Sequence, residues 1–357
     1  MSATEAASRA RPAWAPTGLS QGDRIRAVVI VAVLAFVLLA MPGLLSTYWL
    51  KVLTAVAIYS VVALALGVLM GRVGLVSLGQ IAILALGAWV AARILFATSL
   101  PFPVVLLLAG LITMVLGTIV GLPALRVSGL YLALITLMLA GAITVLLATT
   151  DFPNGGGGFL GHTESTTGGG SIRRPAIAET DPAFFRYSVV VAALMFLLAL
   201  WHVRGKAGRA WEAIRQSEPA ALAAGVNMTL YKLWAFALAS FMTGVAGGLL
   251  AANVGSLFNY SFPTRENIVL LAVVLMGGIY SLWGAIVAGL LYRYLPALLD
   301  SWGLPADLLT ILFGVGVLQV LLTAPAGLVD QFPKDMAKLG RLIGRGAGRV
   351  VAVGRRA

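Results

Sequence analysis

The sequence has no cysteine. That excludes disulfides, thiolate metal sites, Fe–S clusters and cysteine nucleophiles together. Histidine is nearly absent too: His162 and His202 are the only two, and neither has a metal-ligand or catalytic partner at a suitable spacing. No GxxxxGK[ST] occurs, and the glycine runs at 154–158 and 168–171 are followed by no Lys-Ser/Thr. The usual phosphate-cradling loop is therefore missing, and the chain does not bind ATP in that way. Charge is scarce: 11% of residues are charged, where ordinary soluble domains carry about 25%. No long apolar run has a carboxylate near its centre, which argues against a relay of buried acids carrying protons.

What fills the chain instead is hydrophobicity. Of 357 residues, 60% are hydrophobic, and the mean hydropathy is +0.97. Runs such as 52–70 and 104–121 reach the roughly 20 apolar residues needed to cross a hydrocarbon core. They do not alternate apolar with polar residues, so a barrel is excluded. The fold class expected is all-α: a polytopic helical membrane protein of about ten transmembrane helices. The candidate spans are 27–45, 49–70, 74–97, 103–121, 129–148, 187–203, 230–253, 266–280, 282–299 and 304–323. The first follows a basic leader with no small-residue cleavage site and reads as a retained span.

The net charge of +12 is not a nucleic-acid surface. It gathers at span ends and in the tails, the positive-inside pattern. Starting inside, Arg72, Arg126, the 204–232 stretch and the basic end of the chain all fall on one side, which puts both termini in the cytosol. Residues 1–26 are then a cytosolic tail and 27–325 the transmembrane domain, with 149–186 as an outer loop. Residues 326–357 form a basic tail, whose Lys334, Lys338, Arg341, Arg345 and Arg349 suit an interfacial helix on anionic lipid. Segment 277–284 carries no charge and reads either as a cytosolic turn or as the break in a re-entrant pair.

The longest cytosolic interruption is informative. Residues 204–232 carry five basic and two acidic residues in an alanine-rich, helical spacing, with Gly225 placed as a helix stop. A plain turn would need only a few residues, so 204–229 reads as a docking helix for a soluble partner. Gly67, Gly71, Gly74, Gly79 and Gly87 crowd the second and third spans, consistent with close helix packing or the wall of a pathway. The stretches 69–79 and 275–284 resemble each other weakly, as internal repeats of transporters do. Arg293 stands out as an intramembrane charge, placed to snorkel outward or to pair with Asp300.

Four blocks then carry a resemblance: GRVGLVSLGQIAILALGAWVAA (71–92), LRVSGLYLALITL (125–137), GRAWEAIRQSEPAALAAGVNMTLYKLWAFALAS (208–240) and ENIVLLAVVLMGGIYSLWGAIVAGLL (266–291). In this order and spacing they resemble the LivM-type permeases of branched-chain amino acid ABC importers, over most of residues 50–325. The resemblance implies a multi-pass subunit of a bacterial inner-membrane importer that is not itself an enzyme. Its implied partners are ABC ATPase subunits, which bind the ATP, a second LivH-type permease subunit, a periplasmic substrate-binding protein and membrane lipid. No cofactor in this chain and no nucleic acid are implied. The family's ATPase-coupling element falls on Gly208, Arg209, Ala213, Arg215, Glu218, Ala220, Ala221 and Gly225, with Tyr231 and Lys232 fixing it to the next span. In the broader importer pattern the glutamate directly precedes the two alanines, whereas here Pro219 intervenes.

For the translocation path the expected residues are Ser77 and Gln80, three apart and so on one face of a helix, with Tyr131 and Thr136 from the next block. Uncharged polar groups let a zwitterion pass without trapping it. Urea, short amides or another small organic solute remain alternative cargoes. A passive channel remains the alternative of a different class.

Overall fold

The computed structural model describes residues 21–124, 129–149, 172, 174–255, 257, 261–303 and scattered positions between 311 and 331. The outer-loop glycine runs, most of both tails and most of the expected span 304–323 lie outside the described residues. The regular structure is helical throughout the described residues.

The chain divides into two compact units. The first, up to Leu45, holds α1 (Gln21–Leu39) and α2 (Met41–Leu44). The break falls where Pro42 opens α2, since proline suits only the first turn of a helix.

The second unit, from Ser46 onward, holds the remaining helices. α3 (Thr47–Gly67) runs on through a π-helical segment, Val68–Val73. α4 (Gln80–Ala97), α5 (Phe102–Ala124), α6 (Leu130–Thr149) and α7 (Asp181–Arg204) follow. Two short helices, α8 (Lys206–Gln216) and α9 (Glu218–Ala223), then precede α10 (Met228–Val254). α11 (Glu266–Gly277) is short, and α12 (Leu282–Gly289) continues through a π turn, Leu290–Tyr294, into α13 (Leu295–Ser301).

Among the described residues seven helices are long and apolar enough to span, and Val28–Leu44 and Glu266–Gly277 are shorter apolar helices. α11 has 12 residues, about 18 Å at 1.5 Å each, roughly half of a hydrocarbon core.

α10 is the axis of this unit. It is buried along most of its length, by virtue of small residues such as Ala239, Ser240, Gly244, Gly247 and Gly248. α4 lies against one side: a methyl added at Gly87 would fall 2.6 Å from Gly244 Cα, and one at Gly247 2.6 Å from Ala88 N. α5 runs antiparallel along another side, with Gly110 at Phe241 and Gly121 at Phe236. Packing of small residues is what brings membrane helices together, because lipid offers no hydrophobic gradient. The outward faces of α5 and α6 are apolar and exposed, with Leu111, Val115, Ile119, Met138 and Val145 among them.

Candidate coupling and translocation sites

Residues 204–232 form two helices where one was expected. Ser217 is extended (φ −163°, ψ 113°) and caps α9, its hydroxyl accepting from the Ala220 amide at 3.4 Å. Pro219 gives the reason: inside a continuous helix its ring would clash with the Arg215 carbonyl and it has no N–H to donate there. The proline that separates Glu218 from the alanines is therefore what starts a new helix. Gly225, at φ +79°, ends α9 in the left-handed conformation that favours glycine.

α8 is anchored by a fully buried Trp211, whose Nε1 donates to the Tyr231 carbonyl at 2.8 Å, and by buried Ala210 and Ile214. Ala213 is half-buried and Arg209 exposed. Gly208 returns the chain so tightly that any side chain there would strike the Val203 carbonyl. α9 is tied to α10 by Lys232 Nζ and Glu218 Oε1 at 2.7 Å. Lys232 is almost wholly buried, while half of the Glu218 side chain faces solvent. The rest of α9 points outward: Ala220, Leu222 and Gly225 are exposed, and only Ala221 is buried. Tyr231 contributes its backbone carbonyl, and Lys232 its ammonium, to holding the pair of helices.

Arg215, at the end of α8, turns toward the membrane domain. Its Nη1 donates to the Gly71 carbonyl at 3.1 Å, its guanidinium lies 4.8 Å over the Tyr280 ring, and Nη2 meets Glu212 at 3.4 Å. Tyr280 belongs to the turn between α11 and α12, where Gly278 has φ +111°. Residues 278–281 are therefore a turn beside the end of α8, between two helices. The two resembling stretches pack on each other there. Arg72 Nη2 donates to the Tyr280 carbonyl at 3.0 Å, and Gly71 lies so close to the Ile279 carbonyl that no side chain fits between.

The translocation candidates sit deeper, and one expectation needs correction. Ser77 and Gln80 do not share a helical face. Gly74 takes φ +83°, residues 74–79 are not helical, and α4 begins at Gln80. Thr136 holds this segment: its Oγ1 accepts from the Leu78 amide at 2.9 Å and donates to the Ala133 carbonyl at 2.9 Å. Ser77, Gln80 and Thr136 are all buried. Gln80 Oε1 accepts from Thr243 Oγ1 of α10 at 2.9 Å, and its buried Nε2 has no hydrogen-bond partner among the described residues. Tyr131 does not join them, being 72% exposed.

Residues that the sequence did not single out complete the region. Asn267 Oδ1, on the first turn of α11, accepts from the Ile81 amide at 2.8 Å, so the starts of two helices meet inside the protein. Beside it Glu266 hydrogen-bonds the Tyr292 hydroxyl, halfway along the Leu282–Ser301 helix. A carboxylate therefore lies level with the middle of the Leu282–Ser301 helix, although it stands at the end of its own apolar run. Arg293 neither snorkels nor reaches Asp300 among its observed partners. It donates to the Tyr59 hydroxyl at 2.6 Å and lies 4.2 Å over the Tyr59 ring. Arg93 is a second intramembrane cation, buried with its guanidinium 5.5 Å over Trp89. Among the described residues no cluster of three or more His, Asp or Glu could hold a metal.

Comparison with known proteins gives the sequence a family. A family described as the permease component of the branched-chain amino acid transport system matches residues 48–321. The chain is 31% identical over 290 residues to the high-affinity branched-chain amino acid transport system permease protein LivM of Salmonella typhimurium. It is 30% identical over 290 residues to the LivM protein of Escherichia coli. In both cases the match covers 76% of this chain and 68% of the relative. No solved structure matches. A helical domain with buried small-residue packing, two broken segments and a protruding helix pair thus has its sequence relatives in a single group, and the chain belongs to the branched-chain amino acid transport permease family.

Proposed function

We propose that this chain is a membrane-spanning permease subunit of a bacterial inner-membrane ABC importer for branched-chain amino acids. In this reading it works with ATPase subunits, a second permease subunit and a periplasmic binding protein that delivers the cargo. α8 and α9 face the cytosol and dock on the ATPase. Closure of the ATPase around ATP displaces the pair, and the membrane domain changes the side to which its path opens. The chain itself performs no bond chemistry. Gly208, Arg209, Ala213, Glu218, Ala220, Ala221 and Gly225 build the docking pair, and Tyr231 and Lys232 fasten it to α10. Ser77, Gln80 and Thr136 line or support the path, where an uncharged polar surface suits a zwitterion.

The observation that carries the coupling role is the exposed α9, held on a buried ammonium. Lys232 fixes Glu218 at 2.7 Å while Ala220, Leu222 and Gly225 remain uncovered. A solvated loop would have no reason to bury a lysine beneath it, since an ammonium in a dry site needs a partner.

The test is co-purification of the chain with its ATPase. Glu218→Arg sets two cations together at the α9 anchor, and Gly225→Pro forbids the positive φ that ends the helix. Leu222→Asp alters the exposed face alone. All three should reach the membrane and lose the ATPase. If wild type fails to hold the ATPase, or the variants hold it equally well, the docking assignment is wrong and a passive channel becomes the better reading.

A further inference from the structure

Arg215 belongs by position to the docking element, yet its side chain points away from the docking face. Its guanidinium touches two separate segments at once. One is the end of the π-helical stretch, through the Gly71 carbonyl at 3.1 Å, and the other is the turn at Tyr280, whose ring it covers at 4.8 Å. Its aliphatic stem passes Gly74, where an added methyl would lie 3.4 Å from Cγ.

Both segments lead inward, and their far ends meet. From Gly71 the chain passes through the non-helical residues 74–79 to Gln80 and the start of α4. From Tyr280 it runs back through α11, a single rigid rod, to Asn267. Asn267 Oδ1 accepts from the Ile81 amide at 2.8 Å, which joins the two arms deep in the protein. Arg72 ties them near the surface by donating to the Tyr280 carbonyl at 3.0 Å. The result is a closed frame with Arg215 at its outer vertex and Gln80, Ile81 and Asn267 at the inner one.

We propose that Arg215 is the positioning residue through which movement of α8 reaches the translocation path. It grips both arms of this frame rather than contacting the ATPase. Arginine suits the task because its planar fork donates a directed hydrogen bond and stacks on an aromatic face at the same time, which a lysine does less well. α8 is one continuous helix from Lys206 to Gln216, so a push on it is carried along its length to Arg215. Its displacement therefore pulls on Gly71 and Tyr280 together, and both arms transmit that pull to the start of α4. Glu212 holds the guanidinium from the α8 side at 3.4 Å and keeps it aimed. The inference rests on the docking reading above.

The experiment uses the whole importer in proteoliposomes, with ATPase, partner permease and loaded binding protein. ATPase retention, hydrolysis and leucine uptake are measured on the same preparation. Wild-type retention of the ATPase is the control and tests the docking reading itself. Arg215→Ala should keep the ATPase and its hydrolysis, while uptake per ATP falls by about tenfold, within the usual range of coupling between sites. Arg215→Lys should recover part of the uptake, because it restores the cation without the flat face. A merely structural role would lower hydrolysis and uptake together and leave their ratio unchanged, and that result overturns the proposal. So does loss of the ATPase from Arg215→Ala, which would make Arg215 a docking residue. Should Arg215→Ala fail to reach the membrane, Tyr280→Leu decides the matter from the other side of the contact. A reduced uptake per ATP supports the proposal, and a wild-type ratio overturns it.

Discussion

Replacing Gly87 by alanine tests whether the α4–α10 contact sets the position of the inner segments. The added methyl would lie 2.6 Å from Gly244 Cα, 2.7 Å from its oxygen and 3.0 Å from its carbonyl carbon. All three are backbone atoms, so no side chain can rotate aside. Carbon atoms settle about 3.5–4.0 Å apart, and the helices must therefore part by about 1 Å. Overpacking of this kind costs roughly 1–3 kcal/mol. Alanine in place of glycine within a helix returns up to about 1 kcal/mol. Gly141→Ala, on α6, makes the same chemical change where the methyl meets nothing within 4 Å. The helix-propensity gain is common to both, so their difference isolates the strain: Gly87→Ala should be less stable than Gly141→Ala by roughly 1–3 kcal/mol. Thermal unfolding of both variants in one detergent, followed by fluorescence-detected gel filtration, ranks them. Equal stability, or a more stable Gly87→Ala, would refute the close-contact account. The pair Gly87→Ala with Gly247→Ala should lose less than the sum of the singles, because one separation of the helices relieves both clashes.

Two further outcomes follow from the same region. Thr136→Val keeps the shape but leaves the Leu78 amide without its acceptor; a loss of about 1–3 kcal/mol in thermal stability is expected, together with faster hydrogen exchange at that amide. Trp211→Phe keeps the buried bulk and removes the 2.8 Å bond to the Tyr231 carbonyl, so α8 should loosen by about 1 kcal/mol and limited proteolysis between α8 and α10 should quicken.

Hydropathy was enough to find α3, α5, α6, α7 and α10, because a helix that crosses a hydrocarbon core must be apolar over most of its length. The 204–229 interruption was legible from its charge and from Gly225 as one helix, whereas the break at Ser217 that Pro219 imposes was not. Residues 74–79 were not legible. Leu75, Val76 and Leu78 look like any membrane helix, and what holds them out of one is Thr136, 58 positions away, with Asn267 closing the start of α4 from 186 positions away. No local pattern contains such partners. Glu266 opens the expected span 266–280, and nothing local shows that the short α11 puts it beside Tyr292. The inward turn of Arg215 depends on Tyr280 and Gly71 from two other segments, and was equally hidden.

The bond from the Ile81 amide to Asn267 has a consequence for hydration. The start of a helix has amides that nothing within the helix can satisfy, and in a dry membrane interior each exposed one costs several kcal/mol. α4 and α11 therefore cannot draw apart into an empty gap, because the Ile81 amide would lose its acceptor with nothing to replace it. Water, or a solute with an oxygen to offer, has to enter as the two helices separate. Opening between them is a wetting event, and a side chain at 267 that cannot accept a hydrogen bond would leave that amide seeking water even in the closed form.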